Sequence, residues 1–530
     1  MKIGMPWEDV RRNVSGHPWR LLVGGELIPA EGNRRYAVTS PAAGSAVCAV
    51  PDASEADVAR AVAAAVSAAG SWRETPIRER ARRVRALASI ARAHAEELAL
   101  LDAVDVGNTV TWMMRDVEAG ADGLELMADL ALGLAGETIP GPANLLHLTE
   151  REPVGVVARI VAFNHPAMFA LQKIAAPLVA GNPVILKPSN QSPLSALRVG
   201  ELFGEELPPG VLSVLSAEGL AAPRALVRHP DVRRIGFIGS EQAGRSIQRE
   251  AAEAGVKDVT LELGGKNAIV VFPDVDVTAA AAAVVKGMNF QGWQSQSCSS
   301  TSRVFVHEDV ADAVVEMVAE LVGQIVVGDP LDPRSEMGPM ASVDQFEKVS
   351  TYLRDALDAG CRLVVGGTGS SAGQPLDGLY LRPTVIDGVR PDMRVAREEV
   401  FGPLLSVLRW RDTRTMLDQV NSVRHGLTAA VICRDIATAH LVARRIEAGY
   451  VWINDSASHY PGVPFGGYKA SGLGREESIE ELISYTQLKA VTVRLDRFDE
   501  PVWRPGTSGP TAFGIHPVTH GSVASKGEKP

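Results

Sequence analysis

The chain of 530 residues has only four cysteines, Cys48, Cys298, Cys361 and Cys433, and no two stand in C-x-x-C spacing. Zinc is therefore not expected, and free thiols are expected rather than a disulfide framework. Long apolar runs are missing as well: none approaches the length that spans a bilayer, and the opening MKIGMPWEDVRRNV has no apolar centre of a signal peptide. A cytoplasmic protein is expected, and the N-x-S matches at Asn13, Asn190 and Asn454 read as chance. There is no basic excess either. A net charge of −10 argues against nucleic acid and anionic membrane as partners. What remains is ordinary globular composition, 46% hydrophobic and 22% charged, in a chain too long for one core.

Three of the cysteines have apolar neighbours, in SAVCAV, CRLVV and AAVIC, where a thiol behaves as a small hydrophobe. Cys298 is different. It lies in QGWQSQSCSST, among amides and hydroxyls. That leaves it as the candidate for chemistry, with a solvent-exposed loop thiol as the equal alternative. An apolar surround would raise the pKa of a nucleophilic thiol, so the polar stretch is expected to stabilise the thiolate.

Secondary-structure patterns organise the rest. Residues 54–69 open with a capping Ser and read as helix, and residues 78–103 read as one long amphipathic helix. An alternation follows. Strands are predicted at 154–162, 182–188, 211–216, 233–239 and 258–264, with helices at 166–180, 195–207 and 241–255. Such alternation implies βαβ units and a parallel sheet, whose ligands bind at the carboxyl ends of the strands. Asn164, Lys187 and the pair Gly239-Ser240 fall at such ends. The turn GSEQAG (239–244) joins strand to helix and offers backbone N–H groups to a phosphate. A second glycine pattern, GTGSSA (367–372), is followed by GQPLDGLYLRP, which cannot open a helix, and reads as a surface turn.

Seven motifs in order carry a resemblance over residues 20–495: IVAFNHP (160–166), KPSNQSP (187–193), FIGSEQAG (237–244), LELGGK (261–266), QSCSSTSR (296–303), EEVFGP (398–403) and PFGGYKASGLGRE (464–476). The chain resembles the NAD(P)-dependent aldehyde dehydrogenase superfamily. The resemblance implies an α/β fold with a Rossmann-like cofactor domain (1–125 and 150–261), a catalytic α/β domain (262–477) and an oligomerisation hairpin (126–149 and 478–495). It implies a homodimer or homotetramer built through the final strand, ISYTQLKAVTVRL (483–495). Residues 496–530 exceed the usual family end and are expected to be partly disordered, with the Trp503 and Phe513 region docking on a neighbouring subunit.

By the same resemblance Cys298 attacks the aldehyde, Asn164 holds the oxyanion and Glu262 activates the water that releases the acid. NAD is the implied cofactor, with NADP possible. Its contacts carry over to Phe163, Lys187, Asn190, Gly239, Ser240, Glu399 and Phe401. Asn190 replaces the Glu of many NAD-preferring relatives, which removes a repulsion against a 2′-phosphate. The pocket positions are His165, Phe169, Gln172, Ser297, Ser299 and His459, with Tyr460 nearby. Imidazoles and an amide suit a neutral polar or aromatic aldehyde better than a trimethylammonium substrate, which takes an aromatic cage. The chain departs from the family at Ala162-Phe163, at Ser300-Thr301 and at Gly292-Trp293. Three rival readings are a CoA-acylating dehydrogenase, which generally lacks the Glu base, a non-catalytic structural member, and a plain cysteine hydrolase, whose Cys–His pairing has no local signature here. The presence of Glu262, Cys298 and Asn164 together speaks against the first two.

Overall fold

The computed structural model describes residues 1–367 and 378–495. It divides into a large unit, Met1–Ala135 with Arg151–Leu488, and a small one, Gly136–Glu150 with the chain from Lys489. Most of GTGSSA and all of residues 496–530, with Trp503 and Phe513, lie outside the described residues.

The predicted alternation appears as the parallel centre of an eight-stranded sheet in the large unit. In spatial order its central strands are Leu212–Val214, Val184–Lys187, Val156–Ile160, Val232–Ile238 and Asp258–Glu262. The first three are short and buried along their whole length, the pattern that a parallel sheet covered by helices requires. Strand order reverses between Val156–Ile160 and Val232–Ile238, so a crevice opens at their carboxyl ends. Antiparallel strands close the edges, Leu21–Val23 and Glu26–Ile28 on one side and Gly472–Leu473 on the other.

A second, seven-stranded sheet follows. It runs Arg362–Val365, Thr384–Asp387, Leu404–Trp410, Arg303–His307, Ala268–Val271, Thr428–Ile432 and Tyr450–Ile453, parallel except for the first. Residues 263–267 pass directly from the end of one sheet to the start of the other. Glu262 thus ends a strand of the first sheet, and the Cys298 loop leads into a strand of the second.

Helix boundaries follow local chemistry. Ser54 and Asp57 form a capping box ahead of Glu55–Glu74. Pro166 sits at the first turn of Pro166–Ala180, and Gly181, at φ 99°, ends it. The single helix expected over 78–103 is instead two, Ile77–Ala93 and Ala95–Val106. They break at His94, whose ring nitrogen contacts Glu97 at 3.0 Å across the new first turn. No Pro or Gly announces that break. The helix Val110–Ala131 also runs unbroken across the expected domain boundary at 125/126, because its buried stripe of Val117, Leu124, Met127 and Ala131 continues past it.

In the small unit, Thr138–Ile139 pairs antiparallel with Leu145–Pro153. The strand Thr486–Arg494 completes a three-stranded sheet with most of its side chains exposed.

Candidate active site

A cavity of about 400 Å³ lies where the two sheets meet. Two helices wall it with one face each. Val110–Ala131 contributes Asp116, Ala119, Gly123 and Leu126, and Pro166–Ala180 contributes Met168, Phe169, Gln172 and Lys173, both at helical spacing. Cys298, Ser297, Ser299, Glu262, His165 and His459 line the same cavity, so the structure brings the sequence-predicted pocket residues together. Asn164 is not among the lining residues. It is buried just before His165, its carbonyl accepting from Asn108 Nδ2 at 2.9 Å and its side-chain amide without a partner among the described residues.

The Cys298 loop is held by the groups that sequence reading assigned to the thiolate. Gln294 and Gln296 are fully buried. Gln294 Nε2 donates to the Gly107 carbonyl at 3.0 Å, and Gln296 Oε1 accepts from Ala341 N at 3.2 Å. Ser297 and Ser299 pair with each other at 3.1 Å, and Asn267 Nδ2 donates to the Cys298 carbonyl at 2.6 Å. The backbone is contorted: Asn289, Gln294 and Ser295 all have positive φ. Gly292, at φ 83°, has Trp112 packed where a Cβ would project. The amides and hydroxyls therefore fix the loop, and they do not acidify the thiol. Burial, then Glu262, Glu399 and Glu477, push Cys298 up to about 12. The expectation of a stabilised thiolate is corrected for the protein alone.

Glu262 is buried, and neither carboxylate oxygen has a hydrogen-bond partner among the described residues. Gly466, at φ 157°, leaves the room that Oε1 occupies, since a Cβ there would stand 2.9 Å from it. Burial first, and then the charge of Glu476, raise Glu262 well above the usual carboxylate range.

Glu476 itself is ionised. Arg159 Nη2 and Lys173 Nζ each donate to it at 2.8 Å, and the two cations hold its carboxyl down at about 2 against the cost of burial. Arg159 also donates to Tyr485 Oη at 2.7 Å. Sequence reading missed this network, and missed Asp116 and Trp293 as cavity residues. Asp116 Oδ2 meets His165 Nδ1 at 2.8 Å and accepts from Trp293 Nε1 at 3.1 Å. The Gly292-Trp293 departure was the available signal.

The remaining predicted residues stand apart from the cavity, along the strand ends of the first sheet and facing loops. Lys187 ends its strand buried, without a hydrogen-bond partner among the described residues, and burial brings it down to about 8 with Asp52 opposing. Ser240 caps Glu241–Ala254, accepting from Ala243 N at 3.3 Å, with Gly239 just before it. Phe163 and Phe401 meet edge to face at 5.8 Å, Phe401 holding a positive φ of 59°. Glu399 accepts from Gly265 N at 2.8 Å, and burial raises it. Asn190 is exposed and borders a separate cavity that Glu218 also lines. A buried unpaired ammonium, a helix N-terminus and a pair of rings at the switch point of a parallel sheet suit a dinucleotide. Cys48, Cys361 and Cys433 all have raised thiols, chiefly through burial, and none lines the cavity. No group of His, Cys, Asp and Glu among the described residues has the arrangement of a metal site. No described helix is long and apolar enough to cross a membrane.

A family model described as the aldehyde dehydrogenase family matches residues 27–491. The chain is 44% identical over 474 residues to the aldehyde dehydrogenase tropH of Talaromyces stipitatus, covering 88% of this chain and 91% of that protein. Among solved structures it is similar to a variant of the indole-3-acetaldehyde dehydrogenase AldA of P. syringae in complex with NAD+. That match has a TM-score of 0.89 and 36% identity, over 92% of this chain and 99% of that one. A betaine aldehyde dehydrogenase of Staphylococcus aureus in complex with NAD+ also matches, with a TM-score of 0.89 and 31% identity, over 95% and 99%.

Proposed function

The chain belongs to the aldehyde dehydrogenase family, and from that premise we propose that it oxidises an aldehyde to its carboxylic acid with NAD, through an acyl intermediate on Cys298. The observation that carries this reading is the meeting of Cys298 and the unpartnered Glu262 carboxylate in one cavity at the junction of the sheets. A nucleophile alone would leave an acyl group stranded. A buried base beside it gives water a route to remove the group.

Lys187, Ser240, Gly239, Glu399, Phe163 and Phe401 would hold NAD, with Asn190 at the adenosine end. The unpaired Lys187 and the capped helix behind Ser240 support this set. Bound NAD supplies the hydride acceptor and a positive charge that opposes the carboxylates raising the thiol. Cys298 gives up its thiol proton to water as Sγ bonds to the carbonyl carbon, forming a thiohemiacetal with the charge on its oxygen. The Asn164 side-chain amide, unpaired and anchored through its own carbonyl, donates to the oxyanion together with the Cys298 N–H. One such donor is worth roughly 10²–10³ in rate. Loss of hydride leaves a thioester. Glu262 then takes a proton from water as its oxygen attacks the acyl carbon, and Cys298 Sγ departs. Burial raises the proton affinity of Glu262, which makes it a stronger base toward that water than an ordinary carboxylate. The buried base also favours water over CoA as the acyl acceptor.

The cavity walls support a neutral polar or aromatic aldehyde, and the exposed strand Thr486–Arg494 supports assembly into a homo-oligomer. The test is Cys298→Ala in an NADH absorbance assay over a panel of aliphatic, aromatic and charged aldehydes. Oxidation should fall below about a thousandth of wild type with NAD binding retained. Turnover above that level would remove Cys298 as the nucleophile.

A further inference from the structure

The pocket contains polar atoms that the reaction does not use. Asp116 Oδ2 already accepts the indole N–H of Trp293, which donates only, at 3.1 Å. The same oxygen lies 2.8 Å from His165 Nδ1. A carboxylate oxygen shared in this way keeps the imidazole proton on Nδ1. The lone pair of Nε2 is then left over, and Nε2 has no partner among the described residues while His165 lines the cavity. His165 Nε2 is an acceptor set in an aromatic wall. His165 packs 5.1 Å from Trp293 and 5.4 Å from Phe169, and Trp293 packs 5.1 Å from Trp112. Across the cavity His459 packs 4.7 Å from Phe465. The neighbouring cation, Lys173, is committed to Glu476 at 2.8 Å.

We propose that the substrate is an aromatic aldehyde whose ring carries a hydrogen-bond donor, a hydroxyl or a ring N–H, which His165 Nε2 accepts. This rests on the dehydrogenase reading and adds the substrate class to it. The aromatic wall takes the ring. His165 Nε2 stays unpaired if the ring brings no donor, and a buried unpaired acceptor is costly. Asp116 is a positioning residue: it sets the tautomer and does not touch substrate.

The experiment compares kcat/KM of the full chain for benzaldehyde, the three hydroxybenzaldehydes and their methoxy counterparts, at a pH where the phenol stays protonated. Indole-3-acetaldehyde is compared with its N-methyl derivative to separate a ring N–H from a hydroxyl. In the wild type, at least one hydroxybenzaldehyde or the free indole should exceed its methylated partner by about tenfold, the worth of one buried neutral hydrogen bond. His165→Phe should bring that ratio near one. Asp116→Leu gives the sharper signature. With the shared acceptor gone the imidazole proton is no longer held on Nδ1, so the preference for the donor-bearing ring should fall toward one. A structural role for Asp116 would lower all rates together and leave the ratio alone. Equal rates for every donor and methylated pair in the wild type would overturn the proposal while leaving the dehydrogenase reading intact, and so would a ratio that survives both substitutions. Absence of NADH from every aldehyde would overturn both.

Discussion

Replacing Glu262 by Gln separates the two halves of the proposed reaction. The side chain keeps its shape, but the amide cannot take a proton from water. Cys298 and Asn164 are untouched, so acyl transfer to sulfur and formation of the first NADH should proceed. Release of the acid should slow by roughly 10²–10⁴, the range for removal of a positioned base. Stopped-flow absorbance should therefore show a burst approaching one NADH per site, followed by a slow steady state. The same change should alter stability. The folded state holds Glu262 well above its ordinary value, so it binds more protons than the unfolded chain, and stability falls as pH rises from the unfolded value of about 4.3 toward the folded one. Each pH unit in that window costs about 1.4 kcal/mol. Gln removes this dependence, so the variant should melt higher than wild type at neutral pH, by about 2 °C or less per kcal/mol in a chain of this length. A burst lost together with the steady state would mean that Glu262 acts earlier, at the thiol. A lower melting temperature at neutral pH would mean that its carboxylate has partners.

Glu476→Gln should behave in the opposite sense. It removes the carboxylate that buried Arg159 and Lys173 share, leaving Lys173 only the longer 3.7 Å pair with Glu477, and should cost about 3–5 kcal/mol in urea denaturation. In the wild type the Glu476 contribution is present above the unfolded carboxylate value and is lost as pH falls toward about 2. Asn190→Glu should weaken NADP binding at least tenfold and leave NAD nearly unchanged, because a carboxylate repels a 2′-phosphate and accepts from a hydroxyl. Calorimetric Kd values for both cofactors decide it, and an equal effect on the two would mean that Asn190 does not face the 2′ position.

Much of the first sheet was legible in the sequence because its signals are local. The run of short β-branched segments between helices placed the strands and their parallel direction, and Pro166 and Gly181 marked both ends of one helix. Cys298 was legible as the one cysteine in a polar stretch, and Glu262 through its motif. What surrounds them was not legible. The Glu476 network joins positions hundreds of residues apart, and the Asp116–His165–Trp293 contact joins three separate segments. No spacing rule brings such residues together before the fold does. The thiol was misread for the same reason. Its local sequence is polar, but Gln294 and Gln296 turn away to hold the loop, while distant carboxylates and burial set its proton affinity. The break at His94 escaped because neighbouring residues on both sides are good helix formers.

The measurement that tests the central claim most directly is mass spectrometry of the Glu262→Gln protein quenched in acid after mixing with NAD and an aldehyde substrate. The account predicts an acyl adduct, equal in mass to the acid less water, on the peptide that contains Cys298, formed only when both aldehyde and NAD are present. An adduct on Cys48, Cys361 or Cys433, or one that forms without NAD, would contradict it.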